Sequence, residues 1–177
     1  MTSDEVLDFW FAPDNQPKWF ASTPAFDDAI RARFGDLYAQ AAGGMLDWAN
    51  APKSAVALII VLDQFPRNMF RNTAKAFATD HLAFDVSRRA VDRSFDRDLS
   101  VVERQFLYMP FMHAEDLTVQ DRGLVLFEAL GEANALDSMQ KHHAIIVKFG
   151  CFPYRNAVIG RESTPEELAS EEIKCSF

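Results

Sequence analysis

Cysteine is scarce, glycine is sparse and basic charge is in deficit. Two cysteines, Cys151 and Cys175, cannot build a disulfide framework, so a reduced, cytoplasmic protein is expected. Eighteen Lys and Arg against 26 Asp and Glu leave a formal net charge of −8, which argues against a binder of nucleic-acid phosphates. No apolar run approaches the roughly 18 residues that span a bilayer, so no membrane association is expected. The opening stretch MTSDEVLDFW carries Asp4 and Glu5 and no basic segment, unlike a secretory signal. The seven glycines form no P-loop, dinucleotide fingerprint or Gly-x-Ser-x-Gly elbow, and no cofactor is implied.

What the chain does hold is apolar: 49% hydrophobic residues with 16 Phe in 177 positions, enough for one core in a single domain over residues 1–177. Helix signals follow in order. Thr2 and Glu5 have capping-box spacing ahead of an apolar stretch that Pro13 ends. Thr23-Pro24 starts a helix with apolar residues every three or four positions up to Gly43-Gly44. Further helices are expected from Asn50/Pro52 to Phe65, from Asp80 to about Phe95, from Ser100 (boxed with Glu103) to Met109, from Thr118 to Leu130, from Leu136 to Phe149, and from Thr164 onward. SAVALIIVLDQF is apolar all round and reads as a buried helix, because no partner strand exists for it. The expected fold is all-α, about eight helices packed as helical hairpins.

Two stretches echo each other. VALIIVLDQFPRNMFR and IIVKFGCFPYRNAVIGR each run from an apolar segment through Phe-Pro to Arg-Asn and a further Arg. YMPFMHAED lies between them with its own proline. Proline lacks an N–H and crowds the preceding turn, so each of these segments is expected to break its helix. The three breaks are expected to meet at one site.

The stretches WFASTPAFDDAIRARF, LDQFPRNMFR, AFATD, RQFLYMPFMHAED and FGCFPYRNAVIGRESTPEE resemble the bacterial family DUF924 along nearly the whole chain. The resemblance implies a fold similar to tetratricopeptide-like helical-hairpin proteins and implies little about function. Cys151 and Tyr154 stand where the family pattern is expected to have Arg and His.

Candidate ligand-binding residues gather at the breaks: Asp63, Arg67, Asn68, Arg71, Asp116, His142, Arg155, Asn156 and Arg161. Guanidinium groups beside apolar turns suit carboxylate or phosphate, pointing to a small anionic ligand in a cationic pocket. The plain alternative is internal pairing of these arginines with Asp63, Glu115, Asp116 or Glu162. Arg67, four residues after Asp63, is expected to be such a tie, and Arg155 to line the pocket. His113 is the leading candidate for acid–base chemistry, with Glu115 beside it. His142 and His143 must diverge on a helix, so only one of them can reach the cluster. Ligand spacing among His113, Glu115, Asp116 and these histidines matches no familiar metal motif, and none is expected. Cys151, flanked by Phe149, Phe152 and Pro153, is expected to be a buried, slow thiol rather than a thiolate activated by Arg155. The competing function is a peptide or protein interaction module, whose stacked hairpins would present a groove.

Overall fold

A computed structural model describes residues 1–171, so Cys175 lies outside it. Nine helices and no strand occur among the described residues: α1 (Ser3–Trp10), α2 (Pro24–Ala42), α3 (Pro52–Ile59, continued through Ile60–Gln64 and Phe65–Met69), α4 (Asp80–Asp92), α5 (Val101–Met112), α6 (Leu117–Leu130), α7 (Ala133–Phe149), α8 (Asn156–Ile159) and α9 (Pro165–Leu168). The all-α expectation holds. The additional helix is the single turn α8.

Helix α3 is the axis of the molecule. Every residue from Ala55 to Pro66 is buried, and α1, α2, α4 and α5 all pack against this rod. Its all-round apolarity therefore has a direct cause, since it has no solvent face to keep polar. Phe9, Trp10, Phe34 and Phe65 interlock at its centre, with Phe34 and Phe65 ring centroids 4.6 Å apart. Helices α5, α6 and α7 continue the stack, each packing on the next.

Two of the expected proline breaks are corrected by the structure. The helix passes straight through Phe65-Pro66. A π turn over Ile60–Gln64, with the Phe65 N–H donating to the Ile60 carbonyl five residues back, widens the rod ahead of the pyrrolidine ring. The Leu62 carbonyl, four residues before Pro66, instead accepts the buried Thr79 hydroxyl at 2.6 Å. Pro110 likewise lies inside α5, which continues to Met112, and the Ser87 hydroxyl donates to the neighbouring Leu107 carbonyl. At Pro66 the substitute donor comes from a distant side chain, which a local rule about proline does not contain. At the third site the helix does stop, at Gly150 in a left-handed conformation (φ 70°), ahead of Pro153.

Other boundaries shift slightly. Helix α6 is capped by Asp116, whose Oδ1 accepts the Val119 N–H at 3.0 Å, rather than by Thr118. Ser94 adopts φ 59° just after α4, so that helix ends before Phe95. Helix α7 begins at Ala133, three residues earlier than expected. The boxes Thr2/Glu5, Ser100/Glu103 and Thr164/Glu167 all close reciprocally.

Candidate functional site

Because α3 does not break, Asp63, Arg67, Asn68 and Arg71 stay on successive turns of one helical stretch and its exit. Because α5 does not break either, His113 arrives at its C-terminal end, buried against α3. The two meet: His113 Nδ1 and Asp63 Oδ1 are 2.8 Å apart, and Asp63 is fully buried. Gln64 Nε2 donates to the other oxygen of Asp63 at 2.6 Å. Arg67 completes the group, with Nη1 3.2 Å from Asp63 Oδ1 and both terminal nitrogens donating to Asp80 at 2.9 Å.

The electrostatics follow from this packing. Burial opposes ionisation of Asp63, yet Arg67 and His113 together hold its carboxyl well below the usual range. Burial and then the Arg67 charge push His113 down, against the pull of Asp63, so its neutral imidazole is favoured. The Nδ1–H then points at Asp63 and the Nε2 lone pair is the ring's reactive position. A buried carboxylate that fixes a histidine tautomer is the arrangement by which proteins orient a general base.

His113 forms part of the wall of a cavity of about 460 Å³. Arg67, Asn68, Arg71, Gln64 and His142 line the same space, and Trp19, Phe20, Met109 and Met112 supply its apolar walls. His142 turns inward from α7, its ring centroid 6.1 Å from that of His113. Its Nδ1 lies 2.8 Å from the Ser138 carbonyl, and burial drives its pKa down to about 3. His143 points away and pairs with Asp121, so the two adjacent histidines diverge as expected.

The remaining candidates do not line this cavity. Arg155 is buried behind it, with Nη2 donating to the His113 carbonyl at 3.1 Å and Nη1 3.4 Å from Asp80. Its guanidinium also lies 4.6 Å from the Phe77 and Phe152 ring centres. The expectation that Arg155 lines the pocket is thus corrected: its turn folds inward because Asp80 and the open carbonyl of His113 offer partners there. Glu115, Asn156 and Arg161 form a separate clasp over the C-terminal segment. Arg161 grips Glu115 with two bonds of 2.7 and 2.9 Å, and the Phe152 N–H adds a third at 2.7 Å. Asn156 links Arg161 to Glu167. Glu115 is therefore a structural anchor, not an acid–base partner of His113. Asp116, exposed at the start of α6, belongs to neither group.

Cys151 joins the clasp, donating to Glu167 at 3.1 Å. It is partly rather than fully buried, and its thiol is pushed up to about 11, first by burial and then by Glu167. The neighbour that sets its reactivity is an acid, not Arg155. Tyr154, at the other position expected to differ from the family pattern, accepts from Arg155 Nε at 3.2 Å.

Two acids escaped the sequence reading, Asp80 and Asp27. Asp80 holds Arg67 and Arg155 together, so the two Phe-Pro segments are joined through this shared carboxylate although only the second of them is a turn. Asp27 holds Arg71 at 3.0 and 3.1 Å and Asn68 at 2.7 Å. Arg67, Arg71 and Arg155 are thus matched by Asp63, Asp27 and Asp80, and the cluster is not the net-cationic pocket expected. No group of three or more His, Cys, Asp and Glu is placed to hold a metal among the described residues.

An all-helical protein with a buried Asp–His pair opening on a side cavity is the class that fold and geometry define. The model of a bacterial protein family of unknown function, DUF924, matches residues 6–170, and the chain belongs to that family. A solved structure of a protein of unknown function from Agrobacterium tumefaciens is 41% identical, with 94% of each chain covered and a TM-score of 0.87. No curated protein matches the chain.

Proposed function

We propose that the cavity between α3, α5 and α7 binds a small anionic metabolite, with His113 as the group that exchanges a proton with it. One observation carries the reading: His113, held from behind by Asp63, converges with Arg67, Asn68 and Arg71 on the same 460 Å³ space. That volume suits a molecule of metabolite size. Since the internal charges balance, anion recognition rests on directional N–H groups rather than on net charge. Arg71 is the leading donor: its side chain is 51% exposed, and Asp27 engages only Nε and Nη2. A tetratricopeptide-like module that holds a peptide would spread its polar residues along an exposed helix face. Here they converge instead, which favours the small ligand.

The test is a melting screen of small carboxylates and phosphate against the protein and an Arg71→Met variant. A ligand at about 100-fold excess over its dissociation constant should raise Tm by roughly 5–10 °C. Arg71→Met should fold and lose that shift. Absence of any shift across the panel, or an equal shift in the variant, would count against the proposal.

A further inference from the structure

The internal hydrogen bonds decide which atoms are left for a ligand. Asp63 and Asp27 accept only, so the amides that touch them must turn their NH₂ groups inward. Gln64 Nε2 is committed to Asp63 at 2.6 Å, and Asn68 Nδ2 to Asp27 at 2.7 Å and Ser22 at 3.0 Å. His113 commits Nδ1–H to Asp63 at 2.8 Å. What remains on these three side chains is acceptor capacity: Gln64 Oε1, Asn68 Oδ1 and His113 Nε2. None of the three atoms has a hydrogen-bond partner among the described residues, although the residues are only 6, 5 and 8% exposed and all line the cavity. The three atoms are not sealed in the packed interior but open to the cavity, where a ligand donor can reach them.

We propose that the cavity selects a small carboxylic acid that also carries a hydroxyl or primary ammonium group and an apolar body. This deepens the anionic reading above and rests on it. The carboxylate takes the unengaged edge of Arg71, and the donor group meets the Gln64, Asn68 and His113 acceptors. The apolar body lies against Trp19, Phe20, Met109 and Met112. A site lined with matched acceptors discriminates strongly against an analogue that lacks the donor, because the protein atoms are then left unpaired.

Four probes of similar size separate the parts: 3-phenyllactate, phenylalanine, 3-phenylpropionate and 2-phenylethanol, titrated calorimetrically into the intact protein. The expected order places phenyllactate or phenylalanine at least about tenfold tighter than phenylpropionate, consistent with one well-made hydrogen bond to an acceptor in the cavity wall. Equal binding of phenylpropionate and phenyllactate overturns the donor inference while leaving the anionic reading intact. Phenylethanol binding as tightly as phenyllactate overturns the anionic reading instead, and with it the carboxylate half of this proposal. No heat from any probe up to about 10 mM, where even poorly recognised ligands register, overturns both.

Discussion

Replacing Arg155 with methionine separates the internal tie from the cavity. The substitution keeps most of the side-chain length and removes the charge. Four interactions disappear: the bond to the His113 carbonyl at 3.1 Å, the ion pair with Asp80 at 3.4 Å, the bond from Nε to the Tyr154 hydroxyl at 3.2 Å, and the stacking on Phe77 and Phe152 at 4.6 Å. Breaking a buried pair costs about 3–5 kcal/mol when a charge is stranded. Asp80 is not fully stranded, because Arg67 still grips it at two points and its side chain is 19% exposed. The His113 carbonyl, by contrast, loses the charged donor that the structure gives it, worth about 1.5–3 kcal/mol, and the ring contacts add about 0.5–2 kcal/mol. The lower end of the stranded-pair range, about 3 kcal/mol, is therefore expected, equivalent to a fall in Tm of roughly 6–12 °C for a chain of this size. Differential scanning calorimetry measures it directly, and the ligand-induced shift should survive, since Arg155 does not line the cavity. A variant that melts within about 2 °C of the parent, a change too small for a lost buried tie, would refute the tie. A well-folded variant with no ligand shift would return Arg155 to the binding site.

Acid should unfold the protein through its histidines before its carboxylates. His142 has its pKa lowered to about 3 against an ordinary value of 6.5, so the unfolded chain takes the proton first and stability falls as pH drops through that window. By pH 5 His142 alone should cost about 2 kcal/mol, and His142→Phe should flatten the decline between pH 7 and pH 5 in urea titrations. Asp63, held below its ordinary range, contributes stability that is lost only at lower pH, so an unchanged His142→Phe profile would place the acid sensitivity elsewhere. Cys151, with its thiol raised to about 11, should label at neutral pH much more slowly than a free thiol in a Cys175→Ser background. Rapid stoichiometric labelling of the native protein would contradict the Glu167 contact.

Legibility in the sequence divides by the range of the interaction. Caps, the glycine stop at Gly150 and the apolar periodicities act within a few residues, and the helices they delimit were readable. Pro66 and Pro110 do not break their helices, and at Pro66 the group that takes up the freed carbonyl, the Thr79 hydroxyl, comes from another segment. The same distinction governs the site. Asp63–Arg67 is an i,i+4 pair and could be anticipated from spacing alone. Asp80 and Asp27 stood in the stretches AFATD and WFASTPAFDDAIRARF, but an acid at a helix start looks the same whether it caps, faces water or waits for an arginine.

That ambiguity is why charge counting pointed to a cationic pocket where the fold builds a balanced one. Each arginine drawn into the centre arrives with an acid from another helix or loop, and the desolvation cost of the charges selects that outcome. Balance removes the long-range pull on an anion but fixes the side chains, which leaves defined N–H edges and lone pairs facing the cavity. Binding selectivity at such a site comes from matching those edges. The informative residues for function are therefore less the arginines that stand out in the sequence than Gln64 and Asn68 beside them. Their amide orientation is dictated by Asp63 and Asp27, and what they turn toward the cavity is the acceptor side.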